Sequence, residues 1–234
     1  MQQNILKHQH KEPGQKHSVK KLNLFVGNHK YKKYFRKSYL NQANNGDILL
    51  DDISKYNINK ILEIGVFQGV TGRNICELLS KTQKEFRYLG IDVFDSLYGR
   101  KEEILPVVSS SNPLKSFYYK YIKRIEPYSL EGVKDLLKKF KKNVTLYKGH
   151  SNEILKDFEH RDIDYIIIDG GHSYETVRKD LDLSFKILSN NGIIICDDYW
   201  HPQAPGIKIA VDDFVKKNNL FLEIINNRMA KIHR

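Results

Sequence analysis

The stretch Asp164–Val177, DYIIIDGGHSYETV, runs three isoleucines up to Asp169, breaks at Gly170 and Gly171, and resumes after His172 at Ser173. A short β-branched run bounded by turn residues reads as a buried strand, and Ser173 is a residue type that caps the helix to follow. From there Tyr174, Val177, Leu181, Phe185 and Leu188 recur at helical spacing. A continuously apolar strand followed by an amphipathic helix belongs to a parallel sheet covered on both faces. Ligands of such sheets lie outside the carboxyl ends of the strands, so an acid ending a strand there points at a ligand.

The same alternation extends in both directions. KILEIG (60–65), RYLGID (87–92), NVTLYKG (143–149) and GIIIC (192–196) read as further strands. TGRNICELLSK (71–81), EGVKDLLKKFKK (131–142) and a segment through Ile207, Ala210, Val211 and Phe214 read as helices. LFLEII, the turn NN and RMAKIH close the chain as an antiparallel hairpin. Ahead of the first strand, His29–Asn45 is expected to form a basic, tyrosine-rich helix, and ILLDDISKY a second one. The expected organisation is a mobile basic arm (1–28), N-terminal helices covering the site (29–58), and a doubly wound α/β domain (59–234). Its insert, 94–129, is too long for a simple connection and reads as a substrate lid or a subunit contact.

Composition narrows the class. The chain of 234 residues carries a formal charge of +11, but ten Lys/Arg and one acid fall before residue 46. The excess therefore belongs to an arm on a nearly neutral domain. KYKKYFRK is expected to be a solvated helix face, ahead of a polyanion-binding arm. No apolar run suits a bilayer span and no secretory signal opens the sequence. Cys76 and Cys196 sit in apolar segments, as reduced thiols of a cytoplasmic protein would.

The strand ends carry the chemistry. The first leads into LEIGVFQGVTG, with Glu63 before Gly65 and Gly69 at the spacing E-x-G-x-x-x-G rather than G-x-G-x-x-G. An acid beside a glycine turn suits a ligand with a cationic end better than a pyrophosphate. Asp92 ends the second strand, where an acid can accept from ribose hydroxyls. GHS (149–151) ends the third, where Ser151 could cap a helix and His150 or Ser151 could face a base. Together these suggest a nucleoside with an amino-acid-like tail.

LEIGVFQGVTG, YLGID, YKGHS, YIIIDGGH and IIICDDYW, in this order, resemble the class I S-adenosylmethionine-dependent methyltransferases. They look closest to metal-dependent O-methyltransferases of the catechol type and of the type that methylates macrolide sugars. The resemblance covers roughly Asp47 to the C-terminus outside the insert. It implies a Rossmann-like, mostly parallel seven-stranded sheet ending in the antiparallel hairpin. It also implies that Glu63 and the backbone from Gly65 through Phe67 to Gly69 hold the amino and sulfonium side of the cofactor. Thr71 would meet its carboxylate, Asp92 its ribose, and His150 or Ser151 its adenine, with Asp169 also beside it.

Asp169, Asp197 and Asp198 close neighbouring strands of that fold. Three converging carboxylates repel one another unless a cation sits between them, and all-oxygen ligation suits Mg²⁺. In the resembling enzymes these positions bind the metal, which activates an acceptor hydroxyl. His172, placed where the catechol type keeps a catalytic lysine, is the expected base, with His201 its rival. Some sugar-modifying relatives carry an acid where Gly171 stands here. Tyr199 and Trp200 either wall the acceptor pocket or pack beneath the lid. The expected reaction is O-methylation of a small molecule or glycan, with homodimerisation a further expectation. The alternatives are an RNA or protein methyltransferase anchored by the basic arm, and an inactive cofactor-binding scaffold.

Overall fold

The structure, a computed structural model, describes residues 29–36, 38–82, 85–95 and 112–234. The arm 1–28 and residues 96–111 of the insert lie outside the described residues.

Seven strands form one sheet in the order β3-β2-β1-β4-β5-β7-β6. They are β1 (Lys60–Ile64), β2 (Arg87–Asp92), β3 (Val144–Lys148), β4 (Ile163–Ile168), β5 (Leu188–Cys196), β6 (Phe221–Ile225) and β7 (Met229–His233). β1 to β5 run parallel, whereas β7 runs antiparallel to both β5 and β6. The expected doubly wound sheet with a reversed C-terminal hairpin is therefore present. The strand order reverses between β1 and β4, and there a crevice opens between helices leaving in opposite directions.

Alternate residues of each strand feed two cores. Ile61, Tyr88, Tyr165, Ile167 and Ile195 pack beneath α1 (Asn45–Ser54), α2 (Val70–Thr82) and α4 (Leu130–Leu137). Leu62, Ile64, Ile166, Ile168 and Cys196 pack beneath α6 (Tyr174–Ile187) and α7 (Pro205–Asn218). Each fully buried isoleucine of β4 contributes about 2 kcal/mol by leaving water, which is why this central strand has no polar face. Register then aligns the strand ends. Ile64 stands beside Ile91 and Ile168, and Ile168 beside Cys196, so the next residues, Asp92, Gly65, Asp169 and Asp197, form a row across the sheet.

The N-terminal segment departs from expectation. Among the described residues, the expected helix His29–Asn45 is not formed ahead of α1: residues 29–36 run without helix, Tyr39–Asn41 form a 3₁₀ turn, and Asn45 already begins α1. The segment gains more from side chains of α1 and α2 than from its own backbone. Asp51 accepts from His29 N at 2.9 Å, Asp47 from Tyr31 N at 2.7 Å, and Asn74 from Lys32 N at 2.7 Å. Nor is KYKKYFRK a solvated face throughout. Lys30 and Lys32 pair with Asp47 and Glu77, and Arg36 is 1% exposed. Arg36 donates to the carbonyls of Gln68, Pro127 and Gly132, tying this segment to the loop after β1 and to the start of α4.

The described part of the insert contains α3 (Pro113–Phe117), a π-helix (Tyr118–Lys123) and the approach to α4. α5 (Ser151–Ile154) follows β3. Its cap is His150, without a side-chain bond. Ser151 does not cap it; its hydroxyl instead donates to Asp180 at 2.6 Å. No helix among the described residues is long and apolar enough to cross a membrane.

Candidate active site

The strand ends open into a cavity of about 760 Å³. Of the residues expected to bind cofactor, all but Gly69 line it: Glu63, Gly65, Phe67, Thr71, Asp92, His150, Ser151 and Asp169. His172, Asp197, Asp198 and His201 line the same cavity. The N-terminal segment closes it with Ser38, Tyr39, Leu40 and Gln42, and the end of the insert contributes Tyr128.

The glycine turn works differently from a plain backbone cradle. Gly65 N–H continues the sheet by donating to Ile91 O, and Gly69 N–H donates to Val66 O. Gly65 has φ +90°, and a Cβ there would lie 2.0 Å from Asp169 O. The glycine therefore lets β1 and β4 approach each other at the floor of the crevice. Between the glycines, Phe67 N–H donates to Asp92 Oδ2 at 2.8 Å, and Phe94 N–H to Asp92 Oδ1 at 2.9 Å. Asp92 is thus fixed in place, with lone pairs left for a ligand hydroxyl.

Glu63 is 2% exposed and accepts from the Tyr88 hydroxyl at 2.5 Å. Burial lifts its pKa to about 8, against the Tyr88 hydrogen bond, which favours the charged form. Gly72 makes the contact sterically available, since a Cβ there would lie 2.3 Å from the Tyr88 oxygen. Tyr88 was readable in the sequence only as an apolar strand residue. Thr71 lines the cavity, but its hydroxyl also bonds Tyr31 Oη at 2.8 Å.

At the other end of the cavity, carboxylate oxygens of Asp169, Asp197 and Asp198 all lie within 4.8 Å of one another. Burial, and then the charges of Asp197 and Asp198, hold the Asp169 carboxyl well above the usual carboxylate range. Asp198, although burial pushes it up, is drawn below its usual value by a hydrogen bond from His172 and by the charge of Arg228. Its partner His172 has Nε2 3.5 Å from Asp198 Oδ2, and the His172 and His201 ring centroids are 6.3 Å apart. This oxygen-only donor set, short of positive charge at Asp169, fits a hard divalent cation.

Arg228 was missed from sequence. Its guanidinium takes both oxygens of Asp197 at 2.7 Å and Asp198 Oδ1 at 2.8 Å. The available signal was the hairpin itself, because a strand returning antiparallel to β5 brings its first residues back to the end of β5. Tyr199 is 5% exposed and donates to Asp212, so it packs rather than walls the pocket. Trp200 is exposed and lies outside the cavity lining. Cys196 is buried in the core, as expected.

A doubly wound sheet with a reversed last hairpin, and acids at four strand ends around one crevice, is the architecture of a methyltransferase. A family model described as a methyltransferase domain matches residues 62–199, and the chain belongs to that family. Solved structures share the fold at low identity. The O-methyltransferase NovP superposes with a TM-score of 0.59 at 19% identity, covering 80% of each chain. A putative caffeoyl-CoA O-methyltransferase from Staphylococcus aureus gives 0.57 at 14%, covering 82% of this chain and 84% of that one. The calicheamicin methyltransferase CalS11 gives 0.54 at 17%, covering 85% and 80%. The uncharacterized protein R132 of Acanthamoeba polyphaga mimivirus is 29% identical over 108 residues, 38% of this chain and about half (48%) of that protein.

Proposed function

We propose that this chain is an S-adenosylmethionine-dependent O-methyltransferase acting on a hydroxyl of a small molecule or glycan, with a divalent cation, Mg²⁺ by its oxygen donors, at Asp169, Asp197 and Asp198. The observation that carries this reading is the single cavity uniting Glu63 and Asp92 at one end with the three aspartates at the other. NovP and CalS11 are themselves named as methyltransferases, which supports the reaction class. When bound, the donor supplies an electrophilic methyl group, and the cation lowers the pKa of an acceptor hydroxyl.

The chain's own residues then have distinct tasks. Asp92, held by two backbone N–H groups, accepts from ribose hydroxyls. Glu63 faces the cationic amino-acid end and ionises fully only when that charge arrives. His172 is the base. Its Nδ1 is buried and has no hydrogen-bond partner among the described residues, so the nitrogen that can meet an acceptor is Nε2, 3.5 Å from Asp198 Oδ2. His201 accepts from Gln203 N–H through Nδ1 at 3.3 Å. That tautomer puts the proton on Nε2, which makes neutral His201 a donor rather than a base.

The decisive experiment titrates S-adenosylhomocysteine into the full chain by calorimetry, then screens sugars and phenols for transfer of labelled methyl with Mg²⁺ and with EDTA. Cofactor binding with EDTA-sensitive transfer to a hydroxyl is expected. Transfer that EDTA leaves untouched would remove the cation from the proposal, and no cofactor binding would remove the enzyme.

A further inference from the structure

Two of the three acids already have a resident cation. Arg228 grips Asp197 with two parallel bonds of 2.7 Å and reaches Asp198 Oδ1 at 2.8 Å. Among the described residues no basic side chain pairs with Asp169. The backbone of Arg228 is pinned, its N–H donating to Ile225 O and its carbonyl accepting from Tyr199 N–H. Its side chain, by contrast, is 21% exposed, where that of Asp197 is 4% exposed. The arginine therefore has a fixed root and a head with access to water.

We propose that Arg228 is a movable counter-ion that competes with a divalent cation for Asp197 and Asp198, and so sets the cation affinity of the site. The proposal rests on the cation-assisted reading above. Buried carboxylates without a partner charge are strongly disfavoured, so the cation-free protein needs the guanidinium where it stands. A divalent ion on these oxygens would sit close to the guanidinium that already grips them, and the two positive charges repel each other. Binding the ion must first break part of the Arg228 pairing, and its apparent affinity falls by that amount. A merely structural arginine predicts the opposite sign: its loss would disorder the acids and weaken cation binding.

The test is Mn²⁺ binding, read from the free-ion electron paramagnetic resonance signal, to the full chain without methyl donor or acceptor. Arg228→Gln is expected to bind Mn²⁺ at least about tenfold tighter than the parent chain, a difference of about 1.4 kcal/mol. Mn²⁺ should also raise the variant's melting temperature more than the parent's. Should Arg228→Gln fail to fold without the ion, Arg228→Lys carries the comparison. It keeps the charge but loses the fork, and should bind several-fold tighter than the parent. Equal or weaker binding by the variants, or no Mn²⁺ binding by any of them, overturns the proposal. Titrating S-adenosylhomocysteine into the same samples separates the two readings. Cofactor binding without Mn²⁺ binding overturns the counter-ion while leaving the methyl-donor site standing. Tighter Mn²⁺ binding without cofactor binding supports the counter-ion and sinks methyl transfer.

Discussion

Tyr31 Oη lies 2.8 Å from Thr71 Oγ1 and 3.0 Å from Ser38 Oγ, which joins the N-terminal segment to the first turn of α2 at the wall of the cavity. The phenol is buried, and burial raises its pKa, so it remains a neutral hydroxyl at every working pH. Tyr31→Phe keeps the ring and removes both bonds. It should cost about 1–2 kcal/mol in urea unfolding and weaken cofactor binding, because Ser38 precedes the wall residues Tyr39 and Leu40. Unchanged stability together with unchanged affinity would show that this bond does not hold the wall.

Glu63 makes cofactor binding pH-dependent. Its pKa of about 8 in the free protein exceeds the ordinary value of 4.5, so at pH 6 the carboxyl is protonated and must ionise to meet a cationic ligand. Affinity should rise by up to about tenfold per pH unit between pH 6 and 8, then level off. The stability contribution has the opposite slope. It is fully present below the unfolded pKa and is lost as pH rises through 8. Calorimetric titrations at four pH values test this, and Glu63→Gln should flatten both trends while weakening binding.

Asp169 separates stability from activity. Its folded pKa is raised well above the unfolded value. The cation-free protein therefore loses stability as pH climbs from the acidic range towards that raised value. Asp169→Asn removes the carboxyl that the cluster penalises. Melting curves in EDTA should show the variant at least as stable as the parent at neutral pH, with a flatter pH profile, while methyl transfer falls by two orders of magnitude or more, on the order of 10². A less stable variant at pH 7 would mean that Asp169 is not a strained acid.

Arg36 joins three parts of the chain through carbonyls that no other described side chain satisfies in its place. Arg36→Met preserves much of the apolar stem and should still cost about 2–4 kcal/mol, since buried carbonyls lose their donors. Cofactor affinity should fall with it, because Gln68 belongs to the cavity lining. Denaturant unfolding within about 0.5 kcal/mol of the parent would refute this role.

Strand identity was readable because burial on both faces demands uninterrupted apolar residues, as in Ile166, Ile167 and Ile168, and because turn residues punctuate them. The strand-end residues Glu63, Asp92, Asp169, Asp197 and Asp198 were readable for the converse reason: an acid at the end of such a run has no place in the core. His29–Asn45 misled because its tyrosines and lysines suit a helix locally, while its actual partners, Asp47, Asp51 and Asn74, lie on other elements. The basic character of this stretch was equally local information, and it did not reveal that Arg36 is buried under three carbonyls.

The sequence by itself determined the order of the strands along the chain, and which acids end them, since both follow from hydrophobic periodicity within single segments. Only the tertiary structure decided what those acids meet. Asp198 faces Arg228 because β7 runs back along β5, thirty residues later in the chain, and Glu63 meets Tyr88 because Gly72 leaves room for the hydroxyl. Such pairings depend on register and packing between distant segments, where the free energy of a charge is set by its neighbours in space rather than in sequence.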